Sequence, residues 1–174
     1  MHRVILSYLA PNLVKNFYLC AMKRIYNNIN LANRNSFGVV EMASTLVEFE
    51  GAEDLKEYFE RYNPERWYVL GAGNNTLFTR SYEGVLFTPI SRNRTILKDD
   101  GVNVDIRVEA AHDWDELVAW SVSEGLWGIE NLSAIPSSVG AAPVQNIGAY
   151  GAEAKDAITV VEYFDTRSLE VKRL

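Results

Sequence analysis

An α+β fold is predicted by three features of the 174-residue sequence. β-Branched, alternating runs are interleaved with two stretches of helical period. Their order shows no regular βαβ alternation, and after the first 21 residues no repeat, low-complexity tract or Pro/Gly/Ser-rich linker divides the chain. Apolar residues make up 48% and charged residues 23%, which supports a packed core and argues against disorder. The net charge of −6 argues against a nucleic-acid partner, which calls for clustered Lys and Arg. The single cysteine, Cys20, excludes an internal disulfide framework, the two histidines give no metal site, and no apolar run approaches the ~20 residues of a membrane span.

Residues 1–21 look foreign to the rest. Their short apolar start is like a signal peptide, but Pro11, Asn12, Lys15 and Asn16 interrupt it and no small-x-small site follows. Residues 45–50 alternate as a strand. Leu55, Tyr58, Phe59 and Tyr62 fall at helical spacing, predicting a helix over 52–62 stopped at Asn63-Pro64. Strands follow at 67–70 and 84–88. Asp99-Asp100-Gly101 marks a hairpin between 94–98 and 102–108, with Val102, Val104, Ile106 and Val108 on one buried face. Asp113 and Glu116 form a capping box for a helix carrying Trp114, Leu117, Val118 and Val122 and ending at Gly125. His112 precedes that cap, with no cysteine, carboxylate pair or second histidine spaced to join it in catalysis. A strand at 158–164 and a turn at 165–168 lead into a last strand at 169–174, where a hairpin is left without its continuation.

Two stretches carry the functional signal. Gly71-Ala72-Gly73-Asn74-Asn75-Thr76 follows a strand, and such a turn can aim successive backbone N–H groups into a concavity that takes a pyrophosphate without lysine. The dinucleotide fingerprint G-x-G-x-x-G fails at Thr76, and no helix is predicted next, so a plain strand-to-strand turn stands beside the phosphate site. Residues 128–151 read G-I-E-N-L-S-A-I-P-S-S-V-G-A-A-P-V-Q-N-I-G-A-Y-G, with Glu130 as the only charge. Small residues let a backbone approach a flat ligand closely, and Pro136 and Pro143 stiffen the path. Gln145 and Asn146 are its amide donors and acceptors. A buried irregular connector is the alternative.

This stretch resembles the flavin-contacting signature of the UDP-N-acetylenolpyruvoylglucosamine reductase family, matching at Gly128, Glu130, Asn131, Ile135, Pro136, Val139, Gly140 and Gln145 through Gly151. Asn35-Ser36-Phe37-Gly38-Val39 answers to the family's N-T-F-G-I, and Leu70 through Phe78 to L-G-x-G-S-N-x-L-F, with Asn74 in place of serine and Asn75 retained. Ser137 stands where the family usually has glycine, which would cost energy if that position needs positive φ.

The resemblance implies the two-lobed FAD-binding fold of vanillyl-alcohol-oxidase-like flavoproteins, with FAD between the lobes and the C-terminal part incomplete. It implies FAD contacts from Gly71, Ala72, Gly73, Asn74, Asn75 and Thr76 at the pyrophosphate. Contacts at the isoalloxazine are implied from Ile135, Pro136, Ser137, Ser138, Gly140, Ala141, Ala142, Gln145, Asn146, Ile147, Gly148 and Tyr150. In the family, NADPH reduces FAD, and the flavin reduces the enolpyruvyl ether of a UDP-sugar to UDP-N-acetylmuramate, a cytoplasmic step of bacterial peptidoglycan synthesis. The resemblance covers residues 30–174, about the first half of a family member. Its catalytic groups, an arginine in G-Y-R-x-S, a proton-donating serine and a late glutamate, are expected beyond Leu174, so the chain alone is expected to be inactive. Family members begin shortly before the segment answering to Asn30–Val39, which makes residues 1–21 an extension, Met22 the natural start and 22–174 the domain. A free-standing flavin- or nucleotide-binding module stays open, as does, more weakly, an FAD-linked oxidase.

Overall fold

The computed structural model describes residues 2–8, as backbone, and 24–174. In chain order the strands of the first half are β1 (His2–Tyr8), β2 (Ile25–Asn30), β3 (Met42–Phe49), β4 (Trp67–Val69) and β5 (Tyr82–Pro89), with helix α1 (Ala52–Tyr62) between β3 and β4. Then come β6 (Arg94–Asp99), β7 (Asn103–Val108), helix α2 (Trp114–Ser123), β8 (Leu126–Trp127) and the short helix α3 (Ala142–Gln145). The strands β9 (Gly148–Ala149), β10 (Ala152–Glu153), β11 (Ile158–Asp165) and β12 (Glu170–Arg173) complete the order. The chain divides into two compact units, residues 1–10, 91–163 and 172–174, and residues 11–90 and 164–171.

The unit built on residues 11–90 has a four-stranded sheet in the order β2-β3-β5-β4, antiparallel at β2/β3 and parallel elsewhere. Sequence reading found β3, β4 and β5 within a few residues but not β2, whose I-Y-N-N-I-N run carries too little apolar character and is mostly exposed. Helix α1 buries Tyr58 and Phe59 against the sheet, Phe59 stacking on Phe87 at 5.3 Å and meeting Trp67 edge-on at 5.6 Å. Asn63 stops it in the left-handed region (φ 38°) with its N–H on the Phe59 carbonyl, a conformation asparagine tolerates, and Pro64 forbids continuation. Tyr62, counted on the apolar face, is half exposed.

The other unit has a sheet in the order β12-β11-β1-β7-β6, with β8 also pairing β1. Val104, Ile106 and Val108 of β7 alternate inward and pack with Trp114, Leu117 and Val118 of α2. Val102 and Val122 are exposed instead: Val102 lies in the Asp100-Gly101 turn before β7 begins, and Val122 falls off the buried face of α2. Asp113 caps α2 by accepting from the Glu116 N–H at 3.0 Å. The last strand turns back on β11 as the hairpin partner expected of 169–174, with Leu174 and Val161 exchanging backbone hydrogen bonds at 2.9 and 3.0 Å, and β12 forms the outer edge of the sheet.

His2–Tyr8 falls in the stretch expected to lie outside the domain. Its backbone runs parallel between β7 and β11, in register with Asn103–Val108 on one side and Ile158–Val161 on the other. An apolar run of strand-forming residues finds hydrogen-bond partners on two open strand edges, the physical reason for such an insertion. Residues 9–21, Cys20 and Met22 among the sequence expectations lie outside the described residues.

Candidate functional site

In the unit of residues 11–90, β4 is followed by the glycine turn. Leu70 still donates to the Phe87 carbonyl (2.8 Å), after which residues 71–76 run as bends and turns without a helix. Gly73 has φ +73°, and a Cβ there would stand 2.1 Å from the Arg34 carbonyl oxygen, so only glycine fits. That close approach is clamped from the other side: the Ser36 N–H donates to the Gly73 carbonyl (3.1 Å) and the Ser36 hydroxyl to Asn74 Oδ1 (2.6 Å). The buried Asn35 side chain donates to the Leu31 and Val39 carbonyls and accepts from the Val39 N–H, holding the 31–39 loop closed. The two motifs that sequence reading treated separately, 35–39 and 71–76, therefore form one body.

In the other unit, the wall is shaped by a segment that sequence reading took only as the approach to a helix cap. Residues 110–114 lie against 137–140 as a strand-like ladder: Gly140 N–H donates to Ala110 O (2.9 Å), Val139 N–H to His112 O (2.9 Å) and Trp114 N–H to Ser137 O (3.0 Å). Gly140 is required here, since a Cβ would sit 2.7 Å from the Ala110 Cβ. The fully buried Trp114 ring adds its Nε1–H to the Leu132 carbonyl at 2.9 Å. Upstream, Asp115 Oδ1 accepts from Ala134 N–H (2.6 Å) and the Ser133 hydroxyl (2.9 Å), and these bonds hold its carboxyl below the ordinary value. Ser137 does not have positive φ, which falls instead at Ala134 (φ 59°), Asn146 (44°) and Tyr150 (51°), so the serine carries no backbone strain. Ser137 is buried and accepts from the Gln145 side-chain amide at 2.8 Å. Downstream, β9 and β10 form a hairpin whose turn, Tyr150-Gly151, has positive φ at both residues (51° and 81°), a primed turn of the kind that joins two-residue hairpins.

The site residues expected from the sequence thus fall into two groups, 71–76 in one unit and 135–150 in the other. Ala142, Ile147, Ser137 and Ser138 are buried, the first two in the core, so any ligand contact from Ala142 or Ile147 is through backbone. Gln145, Asn146, Gly148, Pro136, Ala72 and Asn75 are exposed. Large apolar side chains in the same motifs are unusually open: Phe37 62%, Leu77 57%, Val144 86% and Tyr150 92%. A hollow of about 350 Å³ just past the glycine turn, lined by Arg66, Arg80 and Tyr82 among others, was not foreseen from the sequence. Among the described residues no cluster of three His, Cys, Asp or Glu could hold a metal ion, and no helix is long and apolar enough to cross a membrane.

A family model described as an FAD binding domain matches residues 43–171, a span that contains both the turn and the wall. The chain belongs to this FAD-binding family. Its relatives include the UDP-N-acetylenolpyruvoylglucosamine reductases of Aliivibrio fischeri, 37% identical over 87% of this chain and 44% of that protein, and of Pseudomonas aeruginosa, 39% identical over 81% and 42%. The chain spans less than half the length of the curated relatives it matches. Among solved structures, UDP-N-acetylenolpyruvylglucosamine reductase from Thermus caldophilus shares the fold, with a TM-score of 0.68 at 23% identity over 87% of this chain and 52% of that one.

Proposed function

We propose that this chain is the FAD-binding portion of an NADPH-dependent reductase that converts a UDP-N-acetylglucosamine enolpyruvyl ether to UDP-N-acetylmuramate in peptidoglycan synthesis. The observation that carries the proposal is the wall itself, where Q-N-I-G-A-Y-G follows a small-residue segment whose 137–139 side chains are buried, while Gln145, Asn146 and Tyr150 stand open to solvent. The residues fit the cofactor. Residues 71–78 contain no charged side chain, so no carboxylate of the turn repels a pyrophosphate, and Gly73 lets the turn pack directly on the Arg34 backbone. Residues 131–150 are likewise uncharged, which suits a neutral, flat ring system.

In this assignment Gly71, Ala72, Gly73, Asn74, Asn75 and Thr76 hold the pyrophosphate, and the 135–150 wall, with Gln145 and Asn146 as its exposed amides, holds the isoalloxazine. FAD, when bound, supplies the hydride chemistry, and the protein supplies binding and orientation. The proton donor and the substrate-orienting arginine are assigned to the part of the longer relatives that this chain does not span, so the 174 residues alone are proposed to bind flavin without turning over substrate. Losing one general acid typically costs about 10²- to 10⁴-fold, and losing positioning costs more. Extraction of cofactor from the purified chain tests the reading. The released flavin should chromatograph as FAD, and FMN or no flavin would defeat the assignment.

A further inference from the structure

His112 is 3% exposed, and both of its ring nitrogens are engaged. Nδ1 lies 2.8 Å from the Asp113 carbonyl oxygen, which can only accept, so Nδ1 carries the proton. Nε2, 3.2 Å from Arg94 Nη1, is then the acceptor, because a guanidinium only donates. This is the neutral imidazole in a single tautomer. The Arg94 guanidinium is itself held over the Trp120 ring, 4.5 Å from its centroid, and Trp120 packs on the core of the same unit. A chain of contacts therefore runs from the core through Trp120 and Arg94 to the His112 ring and on to the Asp113 backbone.

The ends of that chain meet the wall. His112 O accepts from the Val139 N–H, Asp113 bridges Ser138, and Trp114 N–H reaches Ser137 O. The ring thus fixes the peptide whose flanking groups form the rungs that shape 137–140. We propose that His112 is a positioning residue of the flavin site. By locking the backbone at 112–113 through Arg94, it presents the 137–140 face of the wall in one shape for the isoalloxazine. The proposal rests on the assignment of the wall to FAD. It gives His112 a role other than the catalytic one that a lone histidine invites, since its nitrogens have no free position for a substrate proton.

The test compares His112→Ala, His112→Gln, Arg94→Ala and the double variant Arg94→Ala/His112→Ala with wild type and with Val104→Ala. The last removes core packing but none of these bonds. Amide hydrogen exchange at Val139 and Gly140, read without cofactor, should speed up about tenfold or more in His112→Ala, with FAD binding weakened by a similar factor. Arg94→Ala should move both in the same direction, and the double variant should be no worse than His112→Ala, because the two side chains act through one bond. His112→Gln, whose amide oxygen can still accept from Arg94, should fall between and keeps the test decisive if the alanine variant does not fold. Val104→Ala should lower the melting temperature and leave both readouts near wild type. Unchanged exchange at Val139 and Gly140 in His112→Gln and Arg94→Ala, or FAD loss no greater than in Val104→Ala, overturns the proposal. If wild type fails to bind FAD, the cofactor assignment fails, while the exchange measurement still decides whether His112 sets the wall.

Discussion

The glycine turn and the wall belong to different units, yet each is shaped by a neighbouring segment of its own unit. Gly73 is pressed onto the Arg34 carbonyl, and Gly140 onto Ala110. They differ in how they are held. The turn is tied by one backbone bond and one side-chain bond, both from Ser36, whereas the wall is tied by a run of backbone bonds to 110–114, a buried tryptophan and the Asp115 carboxylate. A site element can thus be fixed at one point, where a single substitution removes half of the ties, or along its length by several main-chain bonds to which side chains add.

Breaking each clamp gives effects of different size. Gly73→Val should be the most severe, since a side chain cannot be placed 2.1 Å from a carbonyl oxygen without displacing the 34–36 backbone. FAD affinity should fall by roughly two orders of magnitude or more, which for equilibrium titration is about 2.7 kcal/mol. Trp114→Ala should cost about 3–5 kcal/mol in denaturant unfolding, because it empties a fully buried site and leaves the Leu132 carbonyl without its donor. Deleting residues 1–21 removes β1 from between β7 and β11. A melting temperature lower by several degrees is expected, corresponding to roughly 1–2 kcal/mol, and an unchanged value would restore residues 1–21 to the status of an extension.

Acid should loosen the wall in particular. Asp115 has its folded-state pKa depressed by bonds from Ala134 and Ser133, so its contribution is present above the ordinary aspartate value of 3.8 and is lost as pH falls through the lower folded value. Asp115→Asn should flatten this part of the acid dependence in exchange measurements at Ala134, and an unaltered profile would remove Asp115 from the account. The smallest effect is expected for Ser36→Ala, at about 0.5–1.5 kcal/mol for one hydrogen bond, with faster exchange confined to the 35–39 and 71–76 segments.

Much of this was legible in the sequence. The α1 stripe, its stop at Asn63-Pro64, the Asp100-Gly101 hairpin and the Asp113 cap are local patterns, and all four appear. The letters of the turn and wall singled out two segments that both fall within the 43–171 match to the FAD binding domain. The pairing of Ala110–Trp114 with 137–140 was invisible because its bonds span 23 to 30 residues and use main chain, which carries no letter. Ser137 was read as a site of strain because a family glycine was missing. The positive φ sits three residues earlier, at Ala134, where Asp115 holds the backbone N–H. Likewise β2 was missed for want of apolar alternation, and its register is set by β3 rather than by its own side chains.

The central claim is that the turn serves the pyrophosphate and the wall the flavin ring. FMN has the ring and one phosphate but lacks the adenosine monophosphate half and with it the pyrophosphate bridge, so the change in the FAD-to-FMN affinity ratio on altering Gly73 reports on the turn. Titrating wild type, Gly73→Val and Gly140→Val with both cofactors, after circular dichroism confirms folding, separates the two roles. Wild type should prefer FAD, Gly73→Val should lose that preference, and Gly140→Val should weaken both cofactors by the same factor. A folded Gly73→Val variant that retains the wild-type preference for FAD would contradict the account.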